Sequence, residues 1–413
     1  FKKIIFEDIF NWYSDSDGKT YGLPNYAYSK YALKEGEKLV PNCSFIMRKD
    51  IYEKLGSPDI KHPDAFLSLL ERVKNEVKTY NGQLLAPFQM LEFNDMGNGS
   101  IDWLAQYFSV PFEDEQGNWV DRRFHPKYFQ VIKFLNAAYN KGLIPKDNFT
   151  ETRDMINEKV AAGRVFSLLG SPQDYMNQMR VLFQNDNKAV YQAFAITNYD
   201  GDRPYLSDIS GFGWLTTSIT KNAKQPDRLI KLMHYLYSDE GQIDMHFGDE
   251  ELYTINEKGY IVYKDEIEKA METEEGKKKY AFGFNMLADW LRIRNFYEPP
   301  TKPEDIAVND IIMKEPLKEY TYDGKVGYMK TDPNDPRTDK MLDLNNRIGM
   351  YWGKQVTKMI MAKTEAEAKD IYEATLNEMK KMGFDELAAY NNDNFQRAKK
   401  ALGLERAWPG YQK

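Results

Sequence analysis

Residues 205–248, YLSDISGFGWLTTSITKNAKQPDRLIKLMHYLYSDEGQIDMHFG, limit the choice of fold more than any other stretch of the chain. A Gly-punctuated extended run ends in the β-branched residues Thr216, Thr217, Ile219 and Thr220, and a polar turn, 221–225, follows. Pro226 then stands where the first position of a helix tolerates a missing N–H. From there Leu229, Ile230, Met233, Leu236 and Tyr237 recur at the spacing of one helical face. The pattern runs out at Ser238-Asp239-Glu240-Gly241, with His234 inside the helix and His246 expected on it as well. A buried strand feeding a helix that packs back on it is an α/β unit.

The chain has 413 residues, and at roughly 100–200 residues per domain it holds two or three domains with full cores. Its net charge of −7 gives no basic face for nucleic acid. No apolar run approaches the roughly 18 residues that would cross a bilayer. The one cysteine, Cys43, excludes an internal disulfide and leaves the compartment open. Val40-Pro41-Asn42-Cys43 does not read as a lipid-attachment site, because the charged Lys34, Glu35, Glu37 and Lys38 precede it where an apolar segment is required.

Catalytic and metal motifs are missing. There is no His-Glu-x-x-His, Gly-x-Ser-x-Gly, phosphate-cradling glycine loop or zinc-type cysteine pair. His62, His125, His234 and His246 are scattered and read as satisfied or surface imidazoles. Asp15-Ser16-Asp17-Gly18 offers two carboxylates before the glycine and no closing Glu, so a plain turn is expected rather than a structural calcium loop. Asp332, Asn334, Asp335 and Asp339 read as turns and a helix N-cap. Among 63 acidic residues none stands out as one of a glycosidase pair.

Elsewhere helices and strands alternate. Residues 43–47 read as a short apolar strand and 48–56 as a helix closed by Gly56. Helix 64–79 shows Phe66, Leu69, Leu70, Val73 and Val77 on one face, and helix 126–141 stops at Gly142. Gly117-Asn118-Trp119 reads as a hairpin turn, and 160–170 as helix, glycine, buried strand. Residues 297–305 and 332–339 read as surface connections. Near the end, Trp352 to Met361 forms one helical segment, and Thr364 with Glu367 makes a capping box before another helix, closed by Gly383.

Several stretches carry a likeness. These are Asp17-Gly18-Lys19-Thr20-Tyr21-Gly22-Leu23-Pro24, the Lys54-Leu55-Gly56 before a proline, Tyr139-Asn140-Lys141-Gly142-Leu143-Ile144-Pro145, the Gly213-Trp214 run through Tyr237-Ser238-Asp239-Glu240-Gly241-Gln242, and Ile360-Met361-Ala362-Lys363-Thr364-Glu365-Ala366-Glu367-Ala368. In this order, from about residue 15 to 403, the chain resembles the extracellular solute-binding proteins of bacterial ABC importers, the family that includes sugar-binding lipoproteins. The chain departs from that pattern at Glu250-Glu251-Leu252-Tyr253.

The resemblance implies a periplasmic-binding-protein-like α/β fold of two lobes, joined by a hinge crossed more than once, with the ligand cleft between them. Lobe one takes residues 1–43 and 212–300, and lobe two 44–211 and 301–413. It implies that the natural chain carries a signal peptide, a lipidated cysteine and further strand–helix repeats ahead of Phe1, at the cell surface or in the periplasm. It implies a monomer that binds without chemistry, closing on an oligosaccharide that touches both lobes and passing it to a membrane permease. The alternative is a secreted carbohydrate-active enzyme; an adhesin with a silent cleft is a third reading.

Sugars ask for ring faces to stack on and placed polar groups for their hydroxyls. Trp103, Trp214 and Trp352 are the candidate stacking residues, each with an ordinary core tryptophan as the alternative. Asn94, Asp95, Ser171, Gln173 and Tyr175, in loops after strands of lobe two, are the polar candidates, with Asn42 at the first hinge crossing. Turn-formers and helix caps are their alternative. Tyr26 and Tyr28 are placed at the same mouth.

Overall fold

The computed structural model describes residues 7–15, 17–27, 37, 39–208, 212–271, 273–280, 287–327, 329–332 and 334–412; Ser16 and Tyr28 lie outside them. The chain divides into two units, residues 1–37 with 210–299 and residues 38–209 with 300–413, and passes from one to the other three times.

In the first unit the strand Thr216–Thr217 pairs antiparallel with Leu23–Pro24. The sequence leads one to expect a buried strand here, but Thr216 is exposed and Thr217 half-buried. The helix Pro226–Leu236 forms as its proline and periodicity predict, yet Met233 is its one buried residue among those described. Leu229, Ile230 and Leu232 stay exposed. Nor does His246 share this helix. Ser238 N-caps a new one, Asp239–Phe247, by accepting a hydrogen bond from Gly241 N at 3.1 Å. The Ser-Asp-Glu-Gly-Gln signature thus has a physical meaning. A Cβ on Gly241 would lie 2.1 Å from Tyr235 O. Gln242, fully buried, donates to Leu236 O and Leu287 O and accepts from Asp289 N at 2.8 Å.

The second unit is built on a four-stranded sheet in the order Ala86–Met90, Val165–Gly170, Ser44–Arg48, Tyr191–Phe194. The first two run parallel; Ser44–Arg48 is antiparallel to both of its neighbours, with Phe45 opposite Leu169 and Phe194. Every residue of the first three strands is buried. Both faces are therefore covered, which is why these strands read as continuous apolar runs instead of alternating ones. Phe45 meets Phe66 and Tyr107 edge-on at 5.4 and 5.0 Å, and the Tyr107 hydroxyl accepts from Phe45 N.

Helices Pro63–Arg72 and Gly99–Tyr107 pack against the sheet, while Tyr128–Asn140 packs with Thr338–Met361 and Glu365–Lys381. Some bounds differ from the periodicity. The helix expected over 64–79 is α-helical only to Arg72 and continues as a π-turn, Val73–Val77, closed by Lys78 at φ 62°. The segment expected from Trp352 begins at Thr338, since Met341, Leu344 and Ile348 extend its buried stripe. The 297–305 connection gives way to a short helix, Pro303–Val308. The capping box at Thr364 forms with a shift: Glu367 N donates to Thr364 Oγ1 at 3.1 Å, and Glu367 Oε2 accepts from Lys363 N.

Arg48 ends the central strand with a fully buried side chain. Asp50 holds its guanidinium at 2.8 and 2.7 Å, Gly163 O accepts from Nη1 at 2.9 Å, and the Tyr80 ring lies 4.5 Å away. Gly163 sits at φ +68°, and a Cβ there would fall 2.6–2.8 Å from Tyr80, Arg48 and Leu182. Gly163→Ala is therefore expected to cost about 2 kcal/mol or more, read as a lower urea midpoint with an unchanged slope.

Candidate functional site

The second unit carries a cleft of about 580 Å³. Its wall is assembled from the 94–97 turn, the helix Gly99–Tyr107, residues 119–123, the 322–327 loop and the helix Thr338–Met361. The turn is closed by Asn94, which exchanges backbone hydrogen bonds with Gly97 and accepts from Met96 N through its side chain. Asn98 then N-caps the helix by accepting from Ser100 N at 2.8 Å. The helix presents Asp102 from its first turn and Gln106 from its last. Gln106 in turn fixes Ser207, whose N and Oγ lie 2.8 and 3.1 Å from its Oε1.

Two glycines in the helix Thr338–Met361 let the turn settle on it. A Cβ on Gly353 would lie 2.4 Å from Asp95 O and 2.6 Å from Gly97 N, and one on Gly349 would meet the Met96 side chain. Trp352, between them, lines the cleft. Tyr128 meets its ring edge-on at 5.7 Å and the Arg123 guanidinium lies 5.4 Å from it. Phe112, Trp119 and Tyr322 add further rings.

Four charged side chains line the same space: Asp102, Asp121, Arg122 and Arg123. Asp121 grips Arg123 in a forked pair, with Nε 2.9 Å from Oδ1 and Nη2 2.5 Å from Oδ2. Burial works against the Arg123 charge, and Asp121 more than restores it, so its pKa is raised. Arg122 donates from Nε to Val110 O at 2.9 Å and lies over the rings of Phe112 and Trp408. Asp102 is different. The residue is exposed, and its carboxylate has no hydrogen-bond or ion-pair partner among the described residues. The surrounding cleft atoms desolvate it and raise its pKa, against the pull of Arg123 and Arg122.

Of the residues expected from sequence, the structure brings Asn94 and Trp352 together in this cleft. Asp95 is exposed on the same turn but is not among the lining residues. Trp103, half-buried on the helix Gly99–Tyr107, packs against the core. Trp214 is 68% exposed in the first unit, and Tyr26, also there, is half-buried against the Phe247 and Ile261 cluster at φ 52°.

Asn42, Ser171 and Gln173 are occupied with neighbours of their own. Gln173 Nε2 donates to Asn42 Oδ1 at 2.9 Å, and the fully buried Lys314 donates to Asn42 O, Gln173 Oε1 and Asp310 Oδ2. Ser171 lies 3.3 Å from the Cys43 thiol, which burial pushes up in pKa. Tyr175 is buried, with the Arg153 guanidinium 5.6 Å from its ring. Lys314 is 272 positions from Asn42, so no local pattern signals the network. Asp102, Gln106, Arg122, Arg123, Tyr322 and Asn345 were likewise invisible as a group; the one available signal was Gly349 and Gly353, four apart inside a helical stripe. The Asp17 carboxylate accepts from Lys19 N and the Tyr21 hydroxyl, as a turn residue does.

The two-unit α/β organisation is the fold of solved solute-binding proteins of ABC transporters. The chain aligns over 96% of its length, and 80% of the other, with a solute-binding protein associated with an HMO-binding ABC transporter from Bifidobacterium longum infantis, at 17% identity and a TM-score of 0.69. It is also similar to the alginate-binding protein AlgQ2 (15% identity, 94% and 77% covered, TM-score 0.62). A third likeness is to the S. pneumoniae ABC-transporter substrate-binding protein FusA in complex with kestose (16%, 94% and 78%, 0.61). At these identities the likeness establishes the fold. No protein-family model matches the sequence, and no curated protein matches it either.

Asp208, next to the lining residue Ser207, is 4% exposed. Its Oδ1 accepts from Gly324 N at 2.8 Å, and its Oδ2 has no partner among the described residues. Burial first, and the nearby Asp323 charge second, raise its pKa to about 7. In the unfolded chain the group titrates near about 3.9. Between these values the folded state holds a proton that the unfolded state lacks. The stability this lends is complete below about pH 4 and is lost as pH rises towards about 7. Asp208→Asn is expected to raise the urea midpoint at pH 8 and to leave it nearly unchanged at pH 4, measured side by side with the parent protein.

Proposed function

We propose that this protein is the substrate-binding component of an ABC importer, capturing an oligosaccharide and delivering it unaltered to a membrane permease from the outer side of the membrane. The observation that carries the reading is a cleft lined by rings and polar side chains, in a fold similar along nearly the full chain to those of a kestose-bound and an alginate-binding protein. The half-buried Trp119 and Tyr322 offer apolar ring surface to sugar C–H groups beside Trp352, which lines the cleft at 5% exposure, while Asn94, Gln106, Asn345 and Asp102 are placed to meet hydroxyls. Among the described residues no helix is long and apolar enough to cross a membrane.

The cleft's carboxylates support binding over hydrolysis. A glycosidase pair needs one carboxyl as acid and a second as base or nucleophile. Asp121 is held by Arg123, which leaves Asp102 without a second unpaired carboxylate on the cleft wall among the described residues.

A glycan at about a hundredfold excess over its Kd should stabilise the protein by about 2.7 kcal/mol, seen as a rise in melting temperature with no change in the glycan by mass spectrometry. Trp119→Ala should weaken that glycan by about 2 kcal/mol, roughly thirtyfold, while Trp119→Phe, which keeps a ring, loses less. Turnover of the glycan, or full affinity in Trp119→Ala, would refute the assignment.

A further inference from the structure

We propose that the cleft selects uncharged oligosaccharides and excludes uronate-bearing ones, with the Asp102 carboxylate as the residue that grips a neighbouring pair of sugar hydroxyls. This rests on the carbohydrate-binding reading above and adds to it the class of sugar.

The charge count of the wall is the first ground. Among the described residues Asp102 and Asp121 balance Arg122 and Arg123, so that lining carries no net charge with which to offset a ligand carboxylate. The way the cations are held is the second. Arg123 has its fork filled by Asp121. Arg122 is tied through Nε to Val110 O and held against Phe112 and Trp408, as part of the wall. A sugar carboxylate would have to break the first or reorient the second.

The third ground is Asp102 itself. An ionised carboxylate only accepts, and its two oxygens suit two adjacent hydroxyl donors. It stands in the first turn of the helix Gly99–Tyr107, where the helix dipole favours a negative charge. Its carboxylate is unpartnered among the described residues, while Asp121 and Arg123 hold each other and Arg122 is tied through Nε to Val110 O. A ligand carboxylate brought beside it would meet a like charge in a partly desolvated space. Neutral hydroxyls meet an acceptor already oriented.

The test is an array of neutral and uronate-containing oligosaccharides (maltotetraose, xylotetraose, kestose and nystose against tetragalacturonate and alginate tetramers), extended to neutral and acidic plant and host glycans and followed by calorimetry on the hits. Neutral glycans should bind and acidic ones of similar length should bind at least about tenfold more weakly. Asp102→Asn should weaken the neutral hit by about ten- to hundredfold and narrow the neutral-to-acidic ratio, with the unliganded melting temperature little changed. Asp154→Asn, the same change on an exposed helix position, controls for net charge. Acidic glycans binding as well as or better than neutral ones, or full affinity in Asp102→Asn, would overturn the inference and leave the carbohydrate reading standing. Silence across the array would overturn both.

Discussion

The cleft depends on one close approach of backbone to backbone. The 94–97 turn rests on the helix Thr338–Met361 at Gly353, where an added methyl would lie 2.4 Å from Asp95 O and 2.6 Å from Gly97 N. Neither atom is a flexible side-chain end that could move aside. Asn98 follows directly and caps the helix Gly99–Tyr107, so whatever lifts the turn lifts that helix as well, with Asp102 and Gln106 on it. Gln106 in turn sets Ser207 through two hydrogen bonds. One contact at a glycine thus fixes where Trp352 stands relative to the polar residues of the cleft wall.

The other end of the wall is held electrostatically. Glu113, fully buried, accepts from Lys399 at 2.7 Å through one oxygen and from Ala407 N and Trp408 N at 2.8 and 2.7 Å through the other. Lys399 also reaches Gly117 O. Burying two charges is expensive, and this site offsets the cost with hydrogen bonds on both carboxylate oxygens. Its effect is positional. It brings the C-terminal Trp408 under Phe112 and Arg122, closing a small aromatic cluster with Phe395 behind the lining residues Phe112 and Trp119.

What could be read from sequence follows from the range of the interactions. The apolar strands of the second unit were legible because the sheet is covered on both faces, and a short continuous run such as Val165–Gly170 is the pattern that such covering demands. Helix existence was legible from periodicity, and the Thr364 cap from local chemistry. Helix ends were not: a π-turn after Arg72 keeps the same apolar face as a continuing α-helix, so the pattern cannot distinguish them. Helix Pro226–Leu236 had a clear stripe of which only Met233 is buried among the described residues, and periodicity reports the stripe without reporting its partner. Of the site, Trp352 and Asn94 were legible as a ring and a turn former near predicted element ends. Asn42, Ser171 and Gln173 looked equally suitable as polar loop residues. Lys314, which holds Asn42 and Gln173, comes from a distant segment, and only the folded chain shows that their donors and acceptors are already used.

Three carboxylates of the second unit show how the fold separates stability from recognition. Glu113 is buried and fully bonded, so its charge is part of the architecture, and removing one partner would leave the other uncompensated at a cost on the order of 3–5 kcal/mol. Asp208 is buried with one oxygen bonded and one bare among the described residues, and its raised pKa shows that the fold tolerates its charge poorly. Asp102 is neither bonded nor closed off from solvent, so the fold gains little from it. A carboxylate whose loss costs the fold little, lining a cleft in which Asp121 and Arg123 are already paired, is the one with its acceptors open. Structural carboxylates can be packed into the interior because their partners never leave. One that must bind and release a guest has to stand at the surface with its acceptors unfilled, and of the three Asp102 alone does so.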